Sequence, residues 1–342
     1  VTNRFAYNAR SEVTTAVLGG RTFGFAYDFI GNHTASTVDS VETTYTANSL
    51  NQYTSILRAP VPPREPTYDL DGNLLTNGVW VYTWDAENRM TVAYSNSVCV
   101  VSNAYDYMSR RVVKVSHGGT ETRRFIYDGW LPIAEIVETS TATTTNLFVW
   151  GKDLSGSQQG AGGIGGLLAV KQGNAWYFPL SDANGNITGY IDEQGTIVAT
   201  YAYDAFGGTI SQSGSMADSF LHRFSTKYYD AETELYYYGY RFYSPGLQRW
   251  VNRDPIEEDG GRNLYGFCRN DSLSSVDLLG LVIYYMLDKD YLKENEKRAH
   301  GGDGKPREGE EGFSQRIDQA IQIKNAGLKR TKQEDLYVYK KE

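Results

Sequence analysis

Two aspartates near the C-terminal end carry the most distinctive chemistry in this sequence. Asp254 sits in Arg253-Asp254-Pro255, and Asp277 opens Asp277-Leu278-Leu279-Gly280-Leu281, 23 positions later. The turns expected at Gly260-Gly261 and Asn270-Asp271 can fold the intervening segment back, so the two carboxyls can meet. Like charges in close contact cannot both ionise readily. One carboxyl then keeps a proton while the other activates water, the chemistry of aspartic proteases. Such a pair can cut one peptide bond of its own chain. Arg253 is expected to stabilise the anionic member or to orient the scissile carbonyl, since a guanidinium suits both tasks. A structural reading competes with this one, in which Asp254 caps a turn before Pro255 and Asp277 forms a salt bridge with an arginine.

Other motifs point to chemistry less specifically. Gly160-Ala161-Gly162-Gly163-Ile164-Gly165 has the GxGxxG spacing of a dinucleotide site. That motif needs a buried strand before it and a helix after it. Here Asp153-Leu154-Ser155-Gly156-Ser157-Gln158-Gln159 precedes and a strand-like Leu167-Leu168-Ala169-Val170 follows, so a glycine-rich crossing is expected instead. Asp69, Asp71 and Asn73, and likewise Asp182, Asn184 and Asn186 with Glu193, alternate like calcium-loop ligands. The position that should be glycine is Leu74 in one and Ile187 in the other, and hairpin turns are expected. His33, His117, His222 and His300 stand alone, with no nucleophile or further ligand nearby in sequence. Cys99 and Cys268 lack a CxxC partner, which argues against a disulfide scaffold or a zinc site; both are expected as small apolar residues. No metal or cofactor is expected.

The elements that must position these residues are read from a repeat. An aromatic followed by Asp or Asn, a glycine or polar turn, and then an aliphatic residue recurs at Tyr7-Asn8, Tyr27-Asp28, Tyr68-Asp69, Trp84-Asp85, Tyr105-Asp106, Tyr127-Asp128, Tyr203-Asp204 and Tyr229-Asp230. The steps from Tyr7 to Tyr127 run from 16 to about 23 residues, with Tyr45 as a degenerate copy, the length of a strand, a turn and a second strand. Each repeat reads as a hairpin in which the aromatic ends one strand and the aliphatic residue starts the next. A single hairpin does not stand alone in water, so neighbours must stack into a long, continuous sheet. The composition agrees, with 27 tyrosines and 35 glycines against only 9 prolines. No amphipathic helix is expected before residue 285.

These repeats, the phrase Tyr45-Thr46-Ala47-Asn48-Ser49-Leu50-Asn51-Gln52-Tyr53-Thr54 and above all the block Tyr228 to Leu281 resemble the Rhs/YD-repeat proteins, bacterial relatives of the teneurin shell. The block contains Tyr-Gly-Tyr-Arg-Phe-Tyr-Ser-Pro-Gly-Leu-Gln-Arg-Trp at 238–250 and Arg-Asp-Pro at 253–255, the long signature of the Rhs-associated core. The resemblance covers roughly residues 1–281. It implies an all-β, spiralling antiparallel YD-repeat shell over 1–227, a core signature and plug over 228–281, and a variable C-terminal tail over 282–342 housed inside. It further implies self-cleavage after the leucine of an Asp-Pro-x-Gly-Leu motif, here Leu281. The sequence departs from the motif at Leu278, which stands in place of proline and loses the fixed φ of the turn.

The tail has its own character. It is close to neutral, with short helices expected over Asp288 to His300 and after Ser314, whereas the preceding residues carry the negative balance of a chain at −8. In the resembled family the tail is frequently a toxin, but this one shows a single histidine, no cysteine and no evident nucleophile set. The acidic balance excludes a general affinity for nucleic-acid backbone, and no stretch approaches the roughly 18 apolar residues of a membrane span. The expected partners are the chain's own tail, upstream shell repeats or a delivery apparatus, and glycans if the tyrosine rows are exposed. A secreted or cell-surface location is expected, with any export signal upstream. Two further readings stand beside the shell: a surface module binding carbohydrate, and a toxin enzyme residing in 282–342.

Overall fold

The computed structural model describes residues 3–281 and the backbone of Ile283–Tyr285. Strands follow one another as antiparallel neighbours, each paired with the one before and after it in the chain. Seven, from Arg4–Tyr7 to Val61–Arg64, make one sheet; fourteen, from Thr67–Tyr68 to Thr209–Ser213, make a second. The all-β expectation holds, and helix among the described residues is limited to four short 3-10 turns. The expected helices of the tail lie outside the described residues. The sheet is not continuous as expected. It breaks at Val61-Pro62-Pro63-Arg64-Glu65-Pro66, where three prolines offer no N–H to a ladder.

Most copies of the repeat share one turn geometry. In the turn that starts at Asp28, Oδ1 accepts the N–H groups of Ile30, Gly31 and Asn32, and the Asp28 N–H donates to the Asn32 carbonyl at 2.9 Å. Asp69, Asp85, Asp106, Asp182, Asp192 and Asp204 each accept from the N–H groups two and four residues on, as do Asn8 and Asn48. The fourth residue of the turn is left-handed, which is why it is Gly31, Gly72, Gly185 or Gly207, or else Asn51, Asn88 or Ser109. Asp69 and Asp182 are thereby committed to their own turns, as the hairpin reading of the calcium-like segments expects.

The aromatic of each repeat has a second task. A register shift stands just before Tyr7, Tyr27, Tyr68, Trp84, Tyr105, Tyr127, Trp150 and Tyr203, a bulge that bends the strand. Six of these rings then reach back one repeat. The Tyr27 hydroxyl donates to the Val13 carbonyl, Trp84 Nε1 to Leu74, Tyr105 to Met90, Tyr127 to Arg111, Trp150 Nε1 to Pro132 and Tyr203 to Ile187, at 2.5–2.8 Å. Each acceptor lies at or next to the start of the return strand in the preceding repeat. Tyr105→Phe removes one such bond and is expected to cost about 1 kcal/mol. Asp106→Ala strips two turn N–H groups and the 2.7 Å pair with Arg110, and is expected to cost about 1–2 kcal/mol by the measure of lost caps. Urea midpoints of the two variants check the order.

The inner face of both sheets is packed against the chain's own residues 220–281. The core signature contributes the four short strands from Tyr228–Asp230 to Arg249–Trp250, with Tyr236, Tyr238, Tyr243 and Trp250 nearly solvent-free. Backbone bonds join it to the sheets, Leu74 N–H to Val251 at 2.9 Å and Ile187 N–H to Arg223 at 3.0 Å. Charge joins it too. Arg111 and Lys114 on the second sheet both reach Asp230, at 2.5 and 3.0 Å, and Lys114 also reaches Glu232. Tyr45, Tyr53, Tyr82 and Tyr190 are buried in these contacts rather than arrayed on the surface. Cys268 is buried as expected, but Cys99 is exposed, because its strand reaches the outer surface.

Candidate active site

Asp277 ends the strand Ser275–Asp277, which pairs antiparallel with Ile283–Tyr285, Asp277 opposite Ile283. The chain therefore turns back on itself after Asp277, with Gly280 left-handed at φ 78°. Asp277 Oδ1 holds that reversal by accepting the Gly280 N–H at 2.7 Å and the Leu281 N–H at 2.9 Å. The Leu279 carbonyl accepts the Tyr240 N–H, and Leu281 packs on Tyr240 and Ile256.

Asp254 comes to the same place from the loop after Trp250. Its Oδ1 accepts the Ile256 N–H at 3.0 Å, the turn cap that the competing reading expects. Its Oδ2 lies 2.9 Å from Arg241 Nη2, and the same nitrogen lies 3.3 Å from Asp277 Oδ2. One buried guanidinium thus bridges the two carboxylates, and its Nε donates to the Gly280 carbonyl. Trp250 fixes its plane, with the Arg241 Cζ 4.2 Å from the ring. Arg241 Nη1 is buried with no protein partner.

The sequence reading named Arg253 for that role, and the structure places it elsewhere. Arg253 pairs with Glu257 at 3.3 Å on the partly exposed side of the loop, because adjacent residues of an extended segment point opposite ways. Arg241 was missed although a signal was present. It stands in the aromatic run Tyr236 to Tyr243, whose neighbours must be buried, and a buried guanidinium requires carboxylates. Lys227 was also missed; its Nζ donates to the Leu278 and Gly162 carbonyls.

Burial dominates the ionisation of the pair. It pushes Asp254 up to about 6, against Arg241 and the Ile256 N–H, and the nearby Asp277 adds to the rise. Asp277 is raised by burial as well, opposed by Arg241, the N–H groups of Leu281 and Gly280, and Lys227. Of the two, Asp277 has the larger set of donors. A carboxyl raised in the fold favours folding while protonated, and that contribution fades as pH climbs through about 6. Asp254→Asn is therefore expected to be more resistant to urea than the wild type at pH 8, with the gap closing below pH 5. Urea midpoints across that range check it.

The other motifs resolve plainly. The Gly160–Gly165 loop is a crossing between strands Thr143–Trp150 and Leu167–Gln172, with Asp153 Oδ2 accepting the Ala161 and Gly163 N–H groups. His33 and His222 are buried among aromatic rings, which hold both well below the usual imidazole range, at about 3 and about 4. His117 approaches Glu121 and Glu232 at the surface, a trio that sequence spacing did not join. Both carboxylates already face cations, Arg123 at 2.7 Å and Lys114 at 2.6 Å. His300 lies outside the described residues. No helix among the described residues is long and apolar enough to cross a membrane.

Comparison with known proteins places the chain. The tRNA nuclease WapA of Bacillus subtilis is 26% identical over 281 residues, which cover 79% of this chain and 11% of that protein. Double-stranded DNA deaminase toxin A of Burkholderia cenocepacia is 27% identical over 69% of this chain and 18% of its own length. The chain thus spans about a tenth to a fifth of these relatives. Among solved structures, the Photorhabdus luminescens Tc holotoxin pore aligns over 84% of this chain and 18% of its own, with TM-score 0.50 and 19% identity, a likeness of fold alone. The teneurin YD-shell family model runs from residue 1 to 272, through every repeat and into the core signature, and the chain therefore belongs to the teneurin YD-shell family.

Proposed function

We propose that this chain closes one end of an Rhs-type shell that encloses a variable C-terminal segment, and that it cuts itself once, after Leu281. The observation that carries the reading is the pair of buried carboxylates on one Arg241 nitrogen, with Asp277 also holding the Gly280 and Leu281 amides. A solvated ion pair needs no such enclosure. In the proposed step, ionised Asp277 takes a proton from water as the oxygen bonds to the Leu281 carbonyl carbon, and protonated Asp254 donates to the carbonyl oxygen. Arg241 Nη1, without a protein partner, is available to the charge that develops there. On collapse the bond to Val282 breaks, its nitrogen takes the proton held by Asp277, and the re-forming carboxyl returns one to Asp254.

The plug packing of 220–281 and the pairing of Ser275–Asp277 with Ile283–Tyr285 support a cut segment that stays bound. That a relative is named a deaminase toxin supports a secreted or surface-delivered role for the whole polypeptide. Mass spectrometry of the purified chain tests the reading. Fragments ending at Leu281 and beginning at Val282, co-eluting in native buffer, are expected; a chain that stays whole through prolonged incubation at pH 5–8 overturns self-cleavage.

A further inference from the structure

Lys227 is a buried ammonium whose hydrogen bonds go to carbonyls. It follows the 3-10 turn Phe224–Thr226, and its Nζ donates to the Leu278 carbonyl at 2.5 Å and to the Gly162 carbonyl at 2.8 Å. The glycine loop comes so near only because Gly162 has no side chain. A Cβ there would stand 2.3 Å from the Leu278 oxygen, and Gly162 itself is left-handed at φ 61°. Leu278 is the position where the sequence departs from the proline of the resembled motif. A ring would have fixed φ at that residue. Here a charge-assisted bond and a close-packed loop hold the next atom of the same backbone.

We infer that Lys227 is a positioning residue for self-cleavage, pinning the Leu278 carbonyl against the Gly160–Gly165 loop and so fixing the reversal in which Asp277 holds the Gly280 and Leu281 amides beside Asp254. This rests on the self-cleavage reading. Lys227 acts through Leu278, not on the bond that breaks. The charged and titratable groups facing it are Asp277, Asp153 of the loop, the Tyr238 ring 5.3 Å away and His222. Burial brings the ammonium down to about 8, with both aspartates opposing, so the clamp is charged at neutral pH and relaxes above it.

The test follows cleavage by mass from pH 5 to 9.5 in the wild type, Lys227→Met, Lys227→Arg, Gly162→Ala and Asp254→Asn, with amide exchange in the strands confirming the fold. Lys227→Met and Gly162→Ala are expected to slow cleavage by about ten- to a hundredfold. Lys227→Arg is expected to restore much of the rate and to lose the extra fall that the wild type shows above about pH 8. Lys227→Met cleaving at the wild-type rate with the same alkaline fall, while Asp254→Asn does not cleave, overturns the role of Lys227 and leaves self-cleavage standing. Asp254→Asn cleaving as fast as the wild type, or a wild type that stays whole, overturns the parent reading and this inference with it. If Lys227→Met does not fold, Gly162→Ala and the profile of Lys227→Arg decide the matter.

Discussion

Asp254→Asn and Asp277→Asn are each expected to keep the purified chain full-length, dividing more slowly than the wild type by at least about a hundredfold, the scale on which a positioned acid or base contributes. The two variants remove different halves of the step, the acid and the base. Asparagine at 254 keeps its oxygen for the Ile256 N–H, so the turn stays capped, but its amide nitrogen cannot accept from Arg241 and the acidic proton is lost. Asparagine at 277 keeps its oxygen for the Gly280 and Leu281 amides but cannot serve as base, and it leaves Arg241 with Asp254 as its one carboxylate. Burial raises both carboxyls, so each variant should match or exceed wild-type stability at neutral pH, and an uncut chain then reports lost chemistry in a folded protein. Equal cleavage by either variant and the wild type removes the dyad from the mechanism.

Asp230→Ala is expected to be the most damaging single change to the fold, lowering stability by about 3–5 kcal/mol. Arg111 and Lys114 are each about 1% exposed and converge on Asp230, so its removal leaves Arg111 without its carboxylate in the interior and Lys114 with Glu232 alone. Arg111 is further enclosed by Tyr228, Tyr237 and Phe242, with ring centroids 4.6–5.8 Å away. The same change unfastens the core signature from the second sheet, so limited proteolysis should release fragments cut between the sheet and residue 228 that the wild type withholds. A urea midpoint for Asp230→Ala within experimental error of the wild type would show that the network is idle.

The fold was legible because its instructions are local. An aspartate two and four residues before the N–H groups it accepts, a residue able to be left-handed between them, and a β-branched run on either side all lie within one window of sequence. The break between the sheets was equally written in Pro62, Pro63 and Pro66, though the periodicity drew attention past it. The candidate site was half legible. Asp254 and Asp277 announce themselves by neighbouring Pro255 and Gly280-Leu281, and those neighbours are the turns that the carboxylates cap. Arg241 and Lys227 do not, since what selects them is proximity across strands that pair at a distance no spacing rule encodes. Arg253 drew the assignment by adjacency alone, and adjacency in an extended strand means opposite sides.

The backward reach of each aromatic gives the wall a direction. A turn built on Asp106 is complete in itself, but the carbonyl of Arg111 waits for Tyr127, which the ribosome delivers sixteen residues later. During synthesis the newest hairpin is always the unlatched one, and the zipper runs behind the growing end. The last teeth to arrive belong to the core signature, whose tyrosines also donate backward, Tyr243 to the Phe206 carbonyl. On that ordering the core signature can latch only once the second sheet, whose turn carries Phe206, is in place.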